Sequence, residues 1–237
     1  MQAVILAGGR GTRLRPYTMS FPKPLVPIGD YPILEIIIRQ LRRLGFDKVT
    51  ILTGHLAELI QAYFGRGERW DIEIEYIRED KALNTAGALK LVKHIEDHVL
   101  VMNGDILTTM DYRALFQRHL DKGADATVAT IRREHKVDFG VIEADRDGFL
   151  SGYREKPVLD YTVSMGVYVL SRDCRELIAD GESLGMPDLL LRVLGGGGRV
   201  YCAQEPCYWL DIGRVDDYEE AQREFQANPQ RFLHLDG

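Results

Sequence analysis

Apolar residues in the first half of the chain fall into short β-branched or aliphatic runs, with segments of helical spacing between them. Ala3-Val4-Ile5-Leu6, Lys48 to Leu52, Ile72 to Ile77 and Val99 to Met102 read as strands, and Glu58 to Phe64, Ala86 to Val92 and Tyr112 to Lys122 as helices. From Ile33 to Leu44 the apolar residues run almost all round, which predicts a mostly buried helix; Pro32 suits its first turn and Gly45 its close. This repeated β-α-β order predicts an α/β fold with a parallel sheet covered by helices. Beyond about Ala126 the runs come closer together (Ala126 to Ile131, Val141 to Ala144, Phe149 to Arg154, Val163 to Leu170), as in an antiparallel or mixed subregion. Val215 to Gln226 reads as a closing helix and Gly195 to Gly198 as a flexible loop.

A chain of 237 residues, 45% hydrophobic and 28% charged, can bury one substantial core, so a single main domain is expected. The 30 Lys and Arg against 36 Asp and Glu give a net charge of −6. That excludes a protein held to nucleic acid by its whole surface, and any polyanion must be met by local cations. Cys174, Cys202 and Cys207 are odd in number and lack Cys-x-x-Cys spacing, which argues against a disulfide framework and a structural zinc site and fits a reducing, cytoplasmic setting. No apolar stretch approaches the roughly 18 residues a membrane helix needs, so no membrane partner is expected.

The densest chemistry follows the first strand. LAGGRGTRLRPYTMSFPKPLVPIGDYPIL places Gly8, Gly9 and Gly11 where backbone must approach a ligand closely, then supplies Arg13, Arg15 and Lys23. Glycines let amide N–H groups line a concavity that favours phosphate. A dinucleotide fingerprint would need glycine where Leu14 stands, and no Gly-Lys-Ser/Thr triplet forms a Walker loop. Asn103-Gly104-Asp105 follows an apolar run, which puts Asp105 just past the carboxyl end of a strand, where open α/β sheets bind ligands.

The run from Leu6 to Leu34 resembles the signature of the nucleoside-diphosphate-sugar pyrophosphorylases, the sugar-1-phosphate nucleotidyltransferases: a glycine loop, Thr-Arg-Leu-x-Pro, then Pro-Lys-Pro-Leu. The resemblance extends from Met1 to about Asn228 and implies a Rossmann-like core with a mixed central sheet and flanking helices. It divides the domain into a mainly nucleotide-binding half, 1–125, and a mainly sugar-phosphate-binding half, 126–237. It implies that Leu6, Ala7, Gly8, Gly9, Gly11 and Thr12 wrap the nucleotide, that Arg13 holds its phosphates and that Lys23 reaches the α-phosphate region. Arg15 is read equally well as a surface cation.

The same resemblance makes Asp105 and Asp211, the latter in WLDIGRVDDY, the ligands of Mg²⁺, and makes Arg13, Lys23 and Asp105 the catalytic residues. Two carboxylates suffice for magnesium, which also uses water and substrate phosphate oxygens. Asp216 and Asp217 are assigned to the start of the last helix, where an acid complements the positive helix end. Gly140, Glu155, Lys156 and Ser164 fall where relatives bind the sugar phosphate, although Ser164 stands where many carry an asparagine. Asn84, Thr85 and Gly87 lie in a segment resembling the Leu-Gly-Thr-Ala-Gly of guanylyltransferases, with Asn84 in place of a glycine; Asn84 or Thr85 could equally cap a helix there.

The implied substrates are a nucleoside triphosphate and a sugar 1-phosphate. GTP with mannose 1-phosphate or a manno-heptose 1-phosphate is the first expectation. Uridylyl, cytidylyl or thymidylyl transfer to another sugar such as N-acetylmuramic acid 1-phosphate, or to a non-sugar phosphate, is an alternative. A non-catalytic regulatory homologue is a further one. The sequence leaves monomer and homo-oligomer both open.

Overall fold

The computed structural model describes residues 1–9 and 11–233. In chain order it forms β1 (Gln2–Ala7), β2 (Pro27–Ile28), β3 (Tyr31–Pro32), α1 (Ile33–Arg43), β4 (Lys48–Thr53), α2 (Ala57–Phe64), β5 (Glu73–Arg78), α3 (Asn84–Gly87), β6 (His98–Asn103), β7 (Ile106–Thr108) and α4 (Tyr112–Lys122). The second half adds β8 (Ala126–Lys136), β9 (Val141–Ala144), β10 (Leu150–Arg154), β11 (Val158–Ser171), α5 (Asp173–Glu176), α6 (Met186–Gly195), β12 (Val200–Gln204), β13 (Trp209–Asp211), α7 (Val215–Ala227) and α8 (Gln230–Leu233). Seven strands make one mixed sheet in the order β12-β8-β11-β6-β1-β4-β5. β6, β1, β4 and β5 run parallel, and β11 enters antiparallel between β6 and β8. The expected mixed α/β sheet is thus observed.

Alternation along the central strands feeds two separate cores. Ala3, Ile5, Leu100 and Met102 face α1, α4, α7 and α8, while Val4, Val99 and Val101 face α3, α5 and α6. Each fully buried aliphatic side chain contributes about 1.5–3 kcal/mol, and Ile33, Leu34, Ile36, Ile37, Ile38 and Leu41 of α1 are all buried. Glu35 is buried among them, and its carboxylate is satisfied by Arg39 Nε at 2.8 Å and Tyr63 Oη at 2.7 Å. Gly45 closes α1 with φ +87°, as its place after an apolar helix predicts.

Several boundaries differ from the sequence reading. The helix expected from Ala86 begins at Asn84 and gives way to a 3₁₀ turn at Ala88–Leu91. The strands expected at Ala126 to Ile131 and Val163 to Leu170 are longer, because β8 and β11 continue their ladder outward through Lys136 and Val158 into an exposed arm that carries β9 and β10. Gly195 ends helix α6 rather than opening a loop. Among the described residues no helix is long and apolar enough to cross a membrane.

Candidate active site

The parallel strands aim their carboxyl ends at one edge of the sheet. β1 passes into the glycine loop, β4 ends at Thr53, just before Gly54, and β6 ends at Asn103. There a cleft of about 870 Å³ is lined by Leu6, Gly8, Gly9, Asn84, Thr85 and Asp105 from the expected set, together with Gly54, His55, Glu79 and Asn103. Gly8 and Gly54 pack backbone to backbone, since a Cβ on Gly54 would lie 2.6 Å from the Gly8 carbonyl oxygen. Gly11 takes φ +60° with its carbonyl accepting from Thr18 Oγ1 at 2.7 Å, so the loop is held by its own residues. A smaller pocket of about 370 Å³ beside it is lined by Thr12, Arg15, Thr18, Met19 and His55. Ala7 is buried in the core behind the loop.

The two expected metal ligands reach each other through short strands. β7 pairs antiparallel with β13, Ile106 opposite Asp211, and the Ile212 N–H donates to the Asp105 carbonyl at 3.0 Å. Burial pushes the Asp211 carboxyl up, and the nearby Asp105 charge adds to this; Lys23 and Arg13 oppose it. Buried Lys23 donates to Asp105 Oδ2 at 2.5 Å. A Cβ on Gly213 would lie 3.4 Å from Asp211 Oδ2, 3.5 Å from Asp217 Oδ2 and 3.6 Å from Arg13 Nη1, which puts these three groups around one glycine. Asp217 itself accepts the Gly213 and Arg214 amides and so opens α7, as its position in the sequence predicts.

Among the described residues no group of three or more His, Cys, Asp or Glu forms a protein cage for a metal. Two carboxylates side by side, one desolvated, are nevertheless a donor set that suits a magnesium ion sharing its shell with water and phosphate.

On the arm, Gly140 packs against the hydroxyl end of Tyr153, where a Cβ would find no room, and Tyr153 Oη donates to Glu155 Oε2 at 3.0 Å. Lys156 follows with φ +42°. Glu155 and Lys156 are exposed and stand outside the lining of the cleft. Ser164 sits at the irregularity where β11 slips register against β8; its hydroxyl shares a 3.0 Å hydrogen bond with Tyr168 and accepts the Gly166 N–H at 3.3 Å. Gly166, φ +70°, packs on Asn103, 2.5 Å from the position of its absent Cβ to Asn103 Nδ2, so this bulge reaches the end of β6.

The segment after β5 is fixed by partners far along the chain. Thr85 does not cap its own helix; its Oγ1 accepts the Met186 N–H at 2.8 Å, at the start of α6. The Ala86 and Gly87 amides donate to the Leu184 carbonyl at 2.9 and 3.0 Å, and Gly87 packs against the Glu182 carbonyl without room for a side chain. Asn84 has φ +64°, a conformation asparagine tolerates better than other side chains do. Glu79, just before this segment, is a lining residue that the sequence alone does not single out. Its Oε2 accepts the Leu83 N–H at 3.1 Å, burial pushes its carboxyl up, and its other oxygen lies beside Gly8.

Comparison with known proteins gives the family to which the chain belongs. The nucleotidyl transferase family model matches residues 2–228. The chain is 34% identical to D-glycero-alpha-D-manno-heptose 1-phosphate guanylyltransferase of Aneurinibacillus thermoaerophilus, over 95% of this chain and 99% of that one. It is also 34% identical to UTP–glucose-1-phosphate uridylyltransferase of Synechocystis, over 94% of this chain but only 63% of the relative's length. The crystal structure of HddC from Yersinia pseudotuberculosis complexed with GMP-PN superposes with a TM-score of 0.73 at 26% identity, covering 94% of this chain and 99% of that one. The chain belongs to the nucleotidyl transferase family, that of the nucleotide-sugar pyrophosphorylases, which join a sugar 1-phosphate to a nucleoside triphosphate.

Proposed function

We propose that this chain is a sugar-1-phosphate guanylyltransferase, converting GTP and mannose 1-phosphate or a manno-heptose 1-phosphate into the GDP-sugar and pyrophosphate. The observation that carries the transferase reading is the meeting of Lys23, Asp105, Asp211 and Arg13 at the mouth of a cleft built on a glycine loop. An oxygen of the sugar phosphate attacks the α-phosphorus, the bond from that phosphorus to the bridging oxygen breaks, and pyrophosphate leaves. The phosphate oxygen is already nucleophilic, so no general base is needed; the obstacle is repulsion between two anions, which positioned cations relieve.

In this scheme Gly8, Gly9, Gly11 and Thr12 cradle the triphosphate, Lys23 meets the α-phosphate and Arg13 the departing pyrophosphate. Lys156 and Glu155, carried on the arm, hold the sugar phosphate and its hydroxyls, with Gly140 and Ser164 beside the ring. Asp105 and Asp211 would hold Mg²⁺, which when bound supplies positive charge at the reacting phosphates. Residues 1–125 thus serve mainly the nucleotide and 126–237 mainly the sugar phosphate.

Guanine is favoured by Glu79. A carboxylate only accepts hydrogen bonds, and guanine alone among the common bases offers two adjacent donors on one edge, N1–H and the 2-amino group. The full-length similarity to the Aneurinibacillus guanylyltransferase supports the same base and a manno-configured sugar. The Synechocystis uridylyltransferase, equally identical, supports a uridylyl alternative. The deciding experiment is pyrophosphate release with Mg²⁺, crossing GTP, UTP, CTP, dTTP and ATP against mannose, glucose, N-acetylmuramic acid and manno-heptose 1-phosphates. Release should be strongest for GTP with a manno-configured phosphate. Silence of every pair, with nucleotide binding intact, would replace this reading by that of a regulatory homologue.

A further inference from the structure

Asn84 lines the cleft with a side chain whose two ends are not equivalent. Its Oδ1 accepts the Thr85 N–H at 2.9 Å. Only the oxygen end of a carboxamide can accept from a backbone amide, so this bond fixes the flip and leaves Nδ2 as the free end, a pure donor. None of the described residues accepts from it.

The frame behind that donor is rigid. Four hydrogen bonds clamp residues 83–87 to 184–186: Thr85 Oγ1 to the Met186 N–H, the Ala86 and Gly87 amides to the Leu184 carbonyl, and the Leu184 N–H to the Leu83 carbonyl at 3.0 Å. The surroundings disfavour phosphate. Glu79 and Asp80 line the same cleft, Asp188 Oδ2 lies against Gly185, Arg78 is already paired with Glu58 at 2.5 Å, and among the described lysines and arginines that line the cleft Lys81 is left to oppose these acids. A neutral acceptor suits this place better than an anion.

We infer that Asn84 reads a keto oxygen on the base of the nucleoside triphosphate and so separates keto bases from amino bases, with Thr85 as the residue that positions it. The inference rests on reading this cleft as the nucleotide site. Guanine O6 or uracil O4 accepts from Nδ2, whereas the amino groups of adenine and cytosine would set donor against donor and leave both unpaired. Such mismatches discriminate more strongly than a missing apolar contact does.

The test uses binding calorimetry and steady-state turnover on the wild type, Asn84→Gly, Asn84→Asp, Thr85→Ser and Thr85→Ala, with the pairs GTP against 2,6-diaminopurine riboside triphosphate and UTP against CTP. Glycine adopts φ +64° freely, so Asn84→Gly keeps the fold while removing the donor. The wild type should bind the keto member of each pair more tightly. Asn84→Gly should lower that preference between about three- and tenfold, and Asn84→Asp, an acceptor of the same shape, should lower it further. Thr85→Ala should raise the KM for the triphosphate with little change in kcat, and Thr85→Ser should restore it. An unchanged keto-to-amino ratio in Asn84→Gly and Asn84→Asp, or a wild type that prefers the amino member, would overturn the inference. Because binding is read separately from turnover, loss of the transferase reading would show as a keto preference without pyrophosphate release.

Discussion

Lys23 Nζ and Asp105 Oδ2 stand 2.5 Å apart although 82 positions separate them in the chain. Lys23 is only 8% exposed, so in the free protein the cation proposed for the α-phosphate is held by the carboxylate proposed for the metal. Substrate and Mg²⁺ would each have to take one member of this pair. Lys23→Met should therefore lower turnover about 10²–10³-fold while raising the affinity of the nucleotide-free protein for Mn²⁺, because Asp105 loses its competing partner. Manganese titration followed by electron paramagnetic resonance reads this directly; unchanged or weaker binding would mean that the ion pair does not mask Asp105.

Gly54→Ala should damage both stability and nucleotide binding. The new methyl would press on the Gly8 carbonyl, backbone that cannot swing aside as a side chain can. Overpacking of this kind costs about 1–3 kcal/mol. Differential scanning calorimetry should show Tm falling by roughly 3–10 °C, and GTP affinity should fall with it. A variant of wild-type Tm and affinity would show that the glycine loop has slack the structure does not suggest.

His119 should impose a pH dependence on stability. Its ring is buried between His98 Nδ1 at 2.9 Å and Thr127 Oγ1 at 2.8 Å. Burial, with repulsion from His98, pushes its pKa down to about 4, against the pull of Asp125. An unfolded histidine titrates near 6.5, so between these values the unfolded chain takes up a proton that the fold refuses. The stabilisation is complete above about pH 6.5 and is lost as pH falls toward 4. His119→Gln should flatten the decline of Tm between about pH 6.5 and 4.5, measured by thermal melts across that range; parallel curves would place the charge elsewhere.

Lys156→Ala should raise the KM for the sugar phosphate about tenfold, the worth of one charge-assisted contact, and leave the KM for the nucleoside triphosphate as it is. Steady-state kinetics varying each substrate in turn make the distinction. A rise in the nucleotide KM alone would move Lys156 to the other half of the reaction.

Legibility in the sequence followed the range of the interactions that define each element. Tyr112–Lys122 was delimited to the residue because its signals are local: Asp111 caps it by accepting the Ala114 N–H at 2.9 Å, and Gly123 ends it in the left-handed region. Helix α6 was not found, and its first amide explains why: the capping hydroxyl belongs to Thr85, 101 residues away. β7 and β13 are three residues each, too short for a period, and exist only through each other, yet they bring Asp211 beside Asp105. Asp211 is therefore singled out in the sequence by the resemblance of its motif alone, while the strands that deliver it give no signal. The outer parts of β8 and β11 carry Arg132 to Lys136 and Asp160 to Thr162, polar or exposed on both faces, so no apolar alternation announced them.

The insertion of β11 between β6 and β8 has a consequence for biosynthesis. A chain emerging from the ribosome completes β1, β4, β5 and β6, and with them most of the cleft wall, well before Val167–Ser171 arrives to cover the open edge of β6. Until then that edge is an unprotected template for pairing with other chains. Asp211 arrives later still, on β13. A nascent or prematurely terminated chain would thus own the glycine loop, Lys23 and Asp105 without the second carboxylate, and the chemistry proposed for this site would switch on only when the last strand seats.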